Sequence, residues 1–306
     1  MKYPRTYHLP YSPGATKDDK KLQGDWFKYY IGQEIVITEK LDGENIHMTQ
    51  KDCYARSDGA PTRSPWSRNI WDPQEGLYWK IRDYIGPDET IFGENLYGEH
   101  SIHYGNLDNY FHLFAVNDGI NWYSWDDVKM MANIMNIPHV PELWRGMIFN
   151  ENELKALVEK YTAAPSIYGE QREGVVMRIT DSFPLEDFPK YVCKWVRPNH
   201  VQTDEHWTKN WKKADIINHF EELPDILFYK GKEYKWNIYQ VEDKNDTLYR
   251  WWIGRYGTLD EMPPEVKGKN GDGYFLCSAN PTYEETINDM LERVNNLILR
   301  QNYFII

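Results

Sequence analysis

The sequence predicts an α+β protein, with a large N-terminal α+β domain followed by a smaller C-terminal domain that ends in a long helix. Three observations predict it. Short β-prone runs recur up to about residue 200, with helical stretches scattered among them but without the regular strand–helix beat of a doubly wound parallel sheet. Two helix starts carry capping-box spacing, one in mid-chain and one near the C-terminus. After about His200 the pattern gives way to polar, aromatic-rich segments, which puts a boundary near residue 205 and domains at 1–205 and 206–306.

The elements follow in order. The stretch up to Trp26 is rich in Pro, Gly, Lys and Asp and reads as irregular. Ile35-Val36-Ile37-Thr38 is β-prone and ends at Glu39-Lys40. A turn at Asp42-Gly43 leads to a second β-prone run, Asn45 to Gln50. Residues 58 to 72 hold Pro61, Pro65 and Trp66 with no periodicity and read as a long loop. Strands are expected at 90–93 and 111–116. Ser124-x-x-Asp127 then opens a helix with Val128, Met131, Ile134 and Met135 as its apolar face. A second helix runs from Asn152 to about Tyr161, and strands follow at 174–177 and 191–193. Residues 204 to 222 suit a helix carrying Trp207, Trp211 and Phe220. Thr282-x-x-Glu285 starts the last one, with Ile287, Leu291, Val294 and Ile298 on one face.

Composition narrows the class. Hydrophobic residues make up 41% and charged residues 27% of 306, ordinary values for a soluble globular chain. No apolar run approaches the roughly 18 residues of a membrane span, and the N-terminus lacks a signal-peptide stretch, so a cytoplasmic protein is expected. Cys53, Cys193 and Cys277 are far apart and read as reduced thiols. The net charge of −12 argues against a protein that coats nucleic acid, though it leaves room for a local basic groove. The segment 190–213, where lysines alternate with Trp195, Trp207 and Trp211, is either such a groove or a solvated helix face with its tryptophans packed inward.

The chemistry centres on Glu39-Lys40-Leu41-Asp42-Gly43-Glu44-Asn45. A lysine at the end of a buried strand is placed where its amine can be desolvated. Its ordinary pKa of about 10.4 makes it a poor nucleophile at neutral pH. Burial and a neighbouring cation would lower that value and activate it. Gly43 admits a close backbone or ligand approach. Alone, Lys-x-Asp-Gly is a weak signal, since a solvated turn lysine explains it better.

The later motifs change this. Phe92-Gly93-Glu94-Asn95-Leu96-Tyr97-Gly98 follows, then Phe111-His112-Leu113-Phe114, Glu173-Gly174-Val175-Val176-Met177-Arg178 and Lys194-Trp195-Val196-Arg197. In this order and at this spacing the chain resembles the covalent nucleotidyltransferases: DNA ligases, RNA ligases and mRNA capping enzymes. Gly43-Glu44-Asn45 and Tyr54-Ala55-Arg56-Ser57 are similar to the RNA ligase branch, closest to the phage and RNA-editing enzymes that seal nicks in duplex RNA. Asp42 departs from that branch, which has histidine there, and Lys194-Trp195-Val196 stands where many ligases have Lys-x-Lys.

The resemblance implies a ligase adenylation domain of antiparallel sheets with flanking helices, using ATP with Mg²⁺ or Mn²⁺. It implies that Lys40 forms a covalent lysyl-AMP and that Glu39 reads the adenine amino group through its backbone carbonyl. Asn45 and Arg56 would contact phosphates, Glu94 the ribose hydroxyls, and Phe114 the adenine face, with Phe111 the other aromatic of that motif. Glu173 would hold the divalent cation and Lys194 would neutralise the α-phosphate. The partner is a strand end, of RNA or else of DNA or an RNA–DNA hybrid. A DNA ligase, a guanylyltransferase or a binding protein that keeps only the pocket are the rival readings.

Overall fold

The computed structural model describes residues 2–56, 59–198 and 211–216, together with four strands between residues 226 and 277. The chain divides into two compact units, Met1–Ile217 and Asn218–Ile306.

The first unit is α+β. Its strands are β1 (Tyr7–His8), β2 (Glu34–Lys40), β3 (Glu44–Met48) and β4 (Cys53–Ala55). Two short helices follow, α1 (Arg68–Trp71) and α2 (Leu77–Ile81), then β5 (Thr90–Asn95), β6 (Phe111–Asn117) and β7 (Asn121–Trp122). Next come α3 (Trp125–Ile134), β8 (Glu142–Met147), α4 (Glu151–Ala163) and β9 (Gly174–Ile179). The series closes with β10 (Phe183–Pro184), α5 (Phe188–Tyr191) and β11 (Val192–Val196).

These strands make two sheets, ordered β1-β11-β9-β2-β8 and β10-β7-β6-β5-β3-β4. Every pairing is antiparallel except β1 with β11, which run parallel. The apolar run in β2 explains its interior place, between β9 and β8. Ile35 and Ile37 enter one buried cluster, with Leu154 and Val158 of α4, while Val36 enters a second, with Val128 and Met131 of α3. That alternation is the period of two of a strand covered on both faces.

The two longest described helices are capped at their N-termini, α3 by the expected Ser124 and α4 by Asn150, while the Thr282 cap lies outside the described residues. The Ser124 hydroxyl accepts the Asp127 N–H at 3.1 Å, and the Asn150 side chain accepts the Glu153 N–H at 3.0 Å. The apolar face of α3 differs from the expected one at a single position. Val128, Met131, Ala132 and Met135 are buried, whereas Ile134 is half exposed. Six residues beyond Val128 a side chain has turned about 120° off the buried stripe, and Ala132 takes the place Ile134 was expected to fill.

Residues 58–72 are not loop throughout. Pro65–Ser67 forms a 3₁₀ turn that continues into α1. Tertiary contacts hold it, with Ile70 buried and the Trp66 indole and Ser67 hydroxyl both donating to the Glu44 carboxylate. Periodicity had no length over which to show there.

Residues 211–216, expected inside a helix, are extended instead. Lys213 bridges Gly98, the Glu99 N–H donates to the Lys212 carbonyl at 2.8 Å, and the Ala214 N–H donates to the Tyr97 carbonyl at 2.9 Å. Trp211 and Lys213 lie against Tyr97, so edge pairing and aromatic contact satisfy this segment in place of helical hydrogen bonds. The remainder of the expected 204–222 helix, the boundary near 205 and the expected C-terminal helix lie outside the described residues.

In the second unit, strands β12 (Ile226–Tyr229), β13 (Lys232–Asp243), β14 (Asp246–Gly254) and β15 (Tyr274–Cys277) form an antiparallel meander in sequence order. Among the described residues no helix is long and apolar enough to cross a membrane.

Candidate active site

A cavity of about 870 Å³ in the first unit is lined from both sheets. Lys40 ends β2 and pairs across to Gly174 at the start of β9, while Lys194 of β11 sits opposite Val176 of β9. Three adjacent strands thus bring Lys40, Glu173 and Lys194 to one edge of the first sheet. Gly174 is where the neighbouring strand comes closest, since a Cβ there would run into the Trp195 carbonyl. Gly43, in the turn after β2, is likewise forced, because a Cβ would fall 2.5 Å from the Asn95 carbonyl.

The centre of the site is an ion pair. The Lys40 ammonium donates to Glu173 Oε2 at 2.5 Å, with the glutamate side chain 5% exposed and the lysine 24%. Burial alone would pull the lysine down. The carboxylates of Glu173, Glu94 and Asp42 outweigh it and hold the amine well above its ordinary value. This corrects the expectation of a lowered Lys40. The nearest charges are anionic, and the neighbouring cation, Lys194, takes the downward shift instead, to about 8, through burial and repulsion from Lys40. Burial raises Glu173, partly offset by Lys40. Burial also pushes Glu94 up to about 7, with Lys40 opposing and Glu173 reinforcing.

The second sheet supplies the remaining wall. Asn45 and Glu94 are cross-strand partners on β3 and β5, and Glu94 Oε1 accepts the Gly43 N–H at 3.1 Å. Phe114 lines the cavity, whereas Phe111 is fully buried in the core. Arg56, at the end of β4, is exposed at the rim. Glu39 is the exception among the expected residues in its side chain, which is buried and paired with Arg172 at 3.2 Å. Only its backbone is left for a ligand. Lys40, Asn45, Arg56, Glu94, Phe114, Lys194 and the Glu39 position all line the one cavity, and Glu173 reaches it through its bond to Lys40.

Other residues belong to the site without having been singled out. Tyr3 packs edge-on against Phe114 at 4.9 Å between ring centroids. Beneath it, buried Arg178 is pulled down to about 10 by burial and donates to the Tyr123 carbonyl. The Asp42 carboxylate accepts the Ser101 and Ile102 N–H groups at 2.9 and 3.0 Å, and the Tyr104 phenol oxygen accepts the Asp42 N–H at 2.9 Å, which ties the turn after Lys40 to the loop beyond β5. Arg172 and Arg178 flank a motif already visible in the sequence. Tyr3 had no signal there, since its role depends entirely on where the N-terminus folds.

Among the described residues no group of three or more metal-ligating side chains stands together. A hard divalent cation held by one carboxylate, phosphate oxygens and water fits the donors present: Glu173 is a buried carboxylate, near enough to a second one, Glu94, to shift its proton.

The first unit is thus an α+β fold whose two sheets share one cavity. The model of the RNA ligase family matches residues 33–196, more than half of the chain, and the chain belongs to that family. Among solved structures it is similar to an archaeal ATP-dependent RNA ligase at 15% identity, over 64% of this chain and 48% of that one, with a TM-score of 0.42. It is also similar to a putative ATP-dependent DNA ligase from Aquifex aeolicus at 17% identity, over 64% and 50%, TM-score 0.41. A Naegleria gruberi RNA ligase variant solved with ATP and Mn matches at 17% identity, over 64% and 60%, TM-score 0.40. The chain thus spans about half the length of the archaeal ligase. No curated protein matches it.

Proposed function

We propose that the chain is an ATP-dependent RNA ligase that joins a 5′-phosphate to a 3′-hydroxyl end through a lysyl-AMP on Lys40. The observation that carries this reading is the Lys40–Glu173 pair, 2.5 Å apart at the head of a cavity that also holds Glu94, Phe114 and Lys194.

The chemistry follows from the placement. Lys40 gives up a proton, for which Glu173 is the acceptor within reach, and its nitrogen bonds to the α-phosphorus of ATP as the bond to pyrophosphate breaks. The 5′-phosphate of the strand then attacks the same phosphorus, the P–N bond breaks and the lysine recovers a proton. The 3′-hydroxyl finally attacks the 5′-phosphate and AMP leaves. Lys194 and Arg56 offset the charge that builds on the phosphates, Asn45 contacts them, and Glu94 accepts from the ribose. Phe114 stacks on the adenine, worth about 1–3 kcal/mol. A Mg²⁺ or Mn²⁺ ion held by Glu173 would add charge neutralisation at the α-phosphate and weaken the hold of the carboxylate on Lys40. Gly43-Glu44-Asn45 supports a duplex-nick-sealing subtype, and the second unit is read as a substrate-binding or bracing domain.

The test is incubation with Mg²⁺ and ATP labelled at the α-phosphate. Label retained on the wild-type chain and lost in Lys40→Ala is the expected outcome, followed by joining of nicked RNA. Labelling by GTP alone would point to a guanylyltransferase, and a folded protein labelled by neither nucleotide would sink the ligase reading.

A further inference from the structure

Beside the nucleotide cavity lies a second, open groove of about 860 Å³ with the opposite charge to the chain as a whole. Five lysines line it, Lys17, Lys20, Lys21, Lys28 and Lys190, against three aspartates, in a protein whose acidic residues outnumber its basic ones 47 to 35. Among the described residues Lys190 is paired with Asp187 at 2.5 Å, but Lys17, Lys20, Lys21 and Lys28 make no salt bridge, and all four are exposed. Of the aspartates, Asp19 is already engaged, accepting the Thr16 N–H and hydroxyl at 2.9 Å each. Its carboxyl is held below its ordinary value by those bonds against the pull of burial.

Two half-buried tyrosines interleave with the lysines. Lys20 lies 5.3 Å from the centre of the Tyr7 ring and Lys28 lies 5.1 Å from that of Tyr29. Phosphate-seeking cations alternating with aromatic faces are the composition of a single-strand track.

The groove adjoins the nucleotide cavity. Asp19 lines both. Between them β1 runs along β11, placing His8 opposite Lys194 with the Leu9 N–H bonded to the Lys194 carbonyl at 2.8 Å. A strand whose end reached Lys194 would pass over Tyr7 and Lys20 on its way out.

We propose that this lysine–tyrosine groove binds the sugar–phosphate backbone of the RNA strand whose end enters the nucleotide cavity. The proposal rests on the ligase reading for the identity of the strand, but not for the groove itself. No base-reading group is implied, so binding should depend on salt and little on sequence.

The experiment measures anisotropy of a labelled 5′-phosphorylated RNA oligonucleotide with the full chain across a salt series, for wild type and Lys20→Gln/Lys21→Gln/Lys28→Gln. The expected result is at least tenfold weaker binding at low salt, with the slope of log K against log salt shallower by about 2, from three lost contacts at about 0.7 each. A Lys→Arg version at the same three positions should keep both affinity and slope. Self-adenylation with ATP, measured on the same samples, should be equal in all three proteins, which also shows that they fold. Unchanged RNA affinity and slope in the Gln variant overturn the groove whatever the adenylation result. Weakened binding in a protein whose wild type never self-adenylates keeps the groove and removes the ligase reading.

Discussion

The two sheets of the first unit meet at one cavity but bring different things to it. The β1-β11-β9-β2-β8 sheet contributes charge: Lys40, Glu173 and Lys194 stand on three neighbouring strands and shift one another's protons. The β10-β7-β6-β5-β3-β4 sheet contributes shape and polar reach, with Phe114 as an aromatic wall and the cross-strand pair Asn45 and Glu94 at the rim of the turn. Glu94 belongs to the second sheet by position but to the first by electrostatics, because Lys40 and Glu173 act on it through the gap. The division suggests that substitutions on the first sheet alter the chemical step and those on the second alter nucleotide affinity.

The strongest challenge to that division is Glu173→Gln. If Glu173 takes the proton from Lys40, labelling by ATP should slow by about a hundredfold or more, while ATP affinity changes little. A variant that only binds ATP more weakly would move Glu173 to the shape side.

Next in size is the contrast between the two phenylalanines of β6. Phe114→Ala should weaken ATP binding by about five- to a hundredfold, the equivalent of about 1–3 kcal/mol of lost stacking, with stability nearly intact. Phe111→Ala empties a fully buried position and should lower stability by about 3–5 kcal/mol instead. Nucleotide titration and denaturant melts of both variants decide it, and equal effects would erase the distinction.

Glu94 tests the coupling between sheets. Its carboxyl is raised from 4.5 to about 7 in the folded chain. The unfolded chain therefore ionises it first, and wild-type stability should fall as pH rises from about 4.5 to about 7 and level off above that. Glu94→Gln keeps an acceptor for the Gly43 N–H and lacks this loss, so it should be more stable above pH 7 by about 3 kcal/mol. Parallel stability–pH curves for the two proteins would count against the coupling.

The smallest effect concerns Lys194, whose value of about 8 means that its charge is lost as pH rises through that point. A guanidinium stays charged. The ratio of Lys194→Arg to wild-type kcat/KM for adenylation should climb a few-fold across pH 8, since kcat/KM reports the free enzyme. A flat ratio would remove Lys194 from the charge balance.

Much of the fold was legible because its signals are local. The strands around Lys40 and before Phe114 showed as β-prone runs, and the Ser124 cap shows directly in the spacing to Asp127. What escaped is held by distant partners. The turn at Pro65–Ser67 is fastened by Glu44, and residues 211–216 by the Tyr97 loop, so neither carries a pattern of its own. Ile134 was misplaced for the opposite reason, since helical spacing leaves two neighbouring apolar positions to choose between and only packing chooses.

The same line divides the site. The sequence by itself determined which side chains are available, because Lys40, Glu94, Phe114 and Lys194 each come with recognisable neighbours. The tertiary structure alone decided their protonation and their company. Glu173 lies 133 residues from Lys40 yet 2.5 Å away, and that closeness reverses the shift expected for the lysine. Tyr3 against Phe114 and the lysine groove beside Lys194 likewise exist only because the N-terminal segment folds back along β11. Charge interactions follow distance in space and strengthen in a buried, low-dielectric site, and the order of residues records neither distance nor burial.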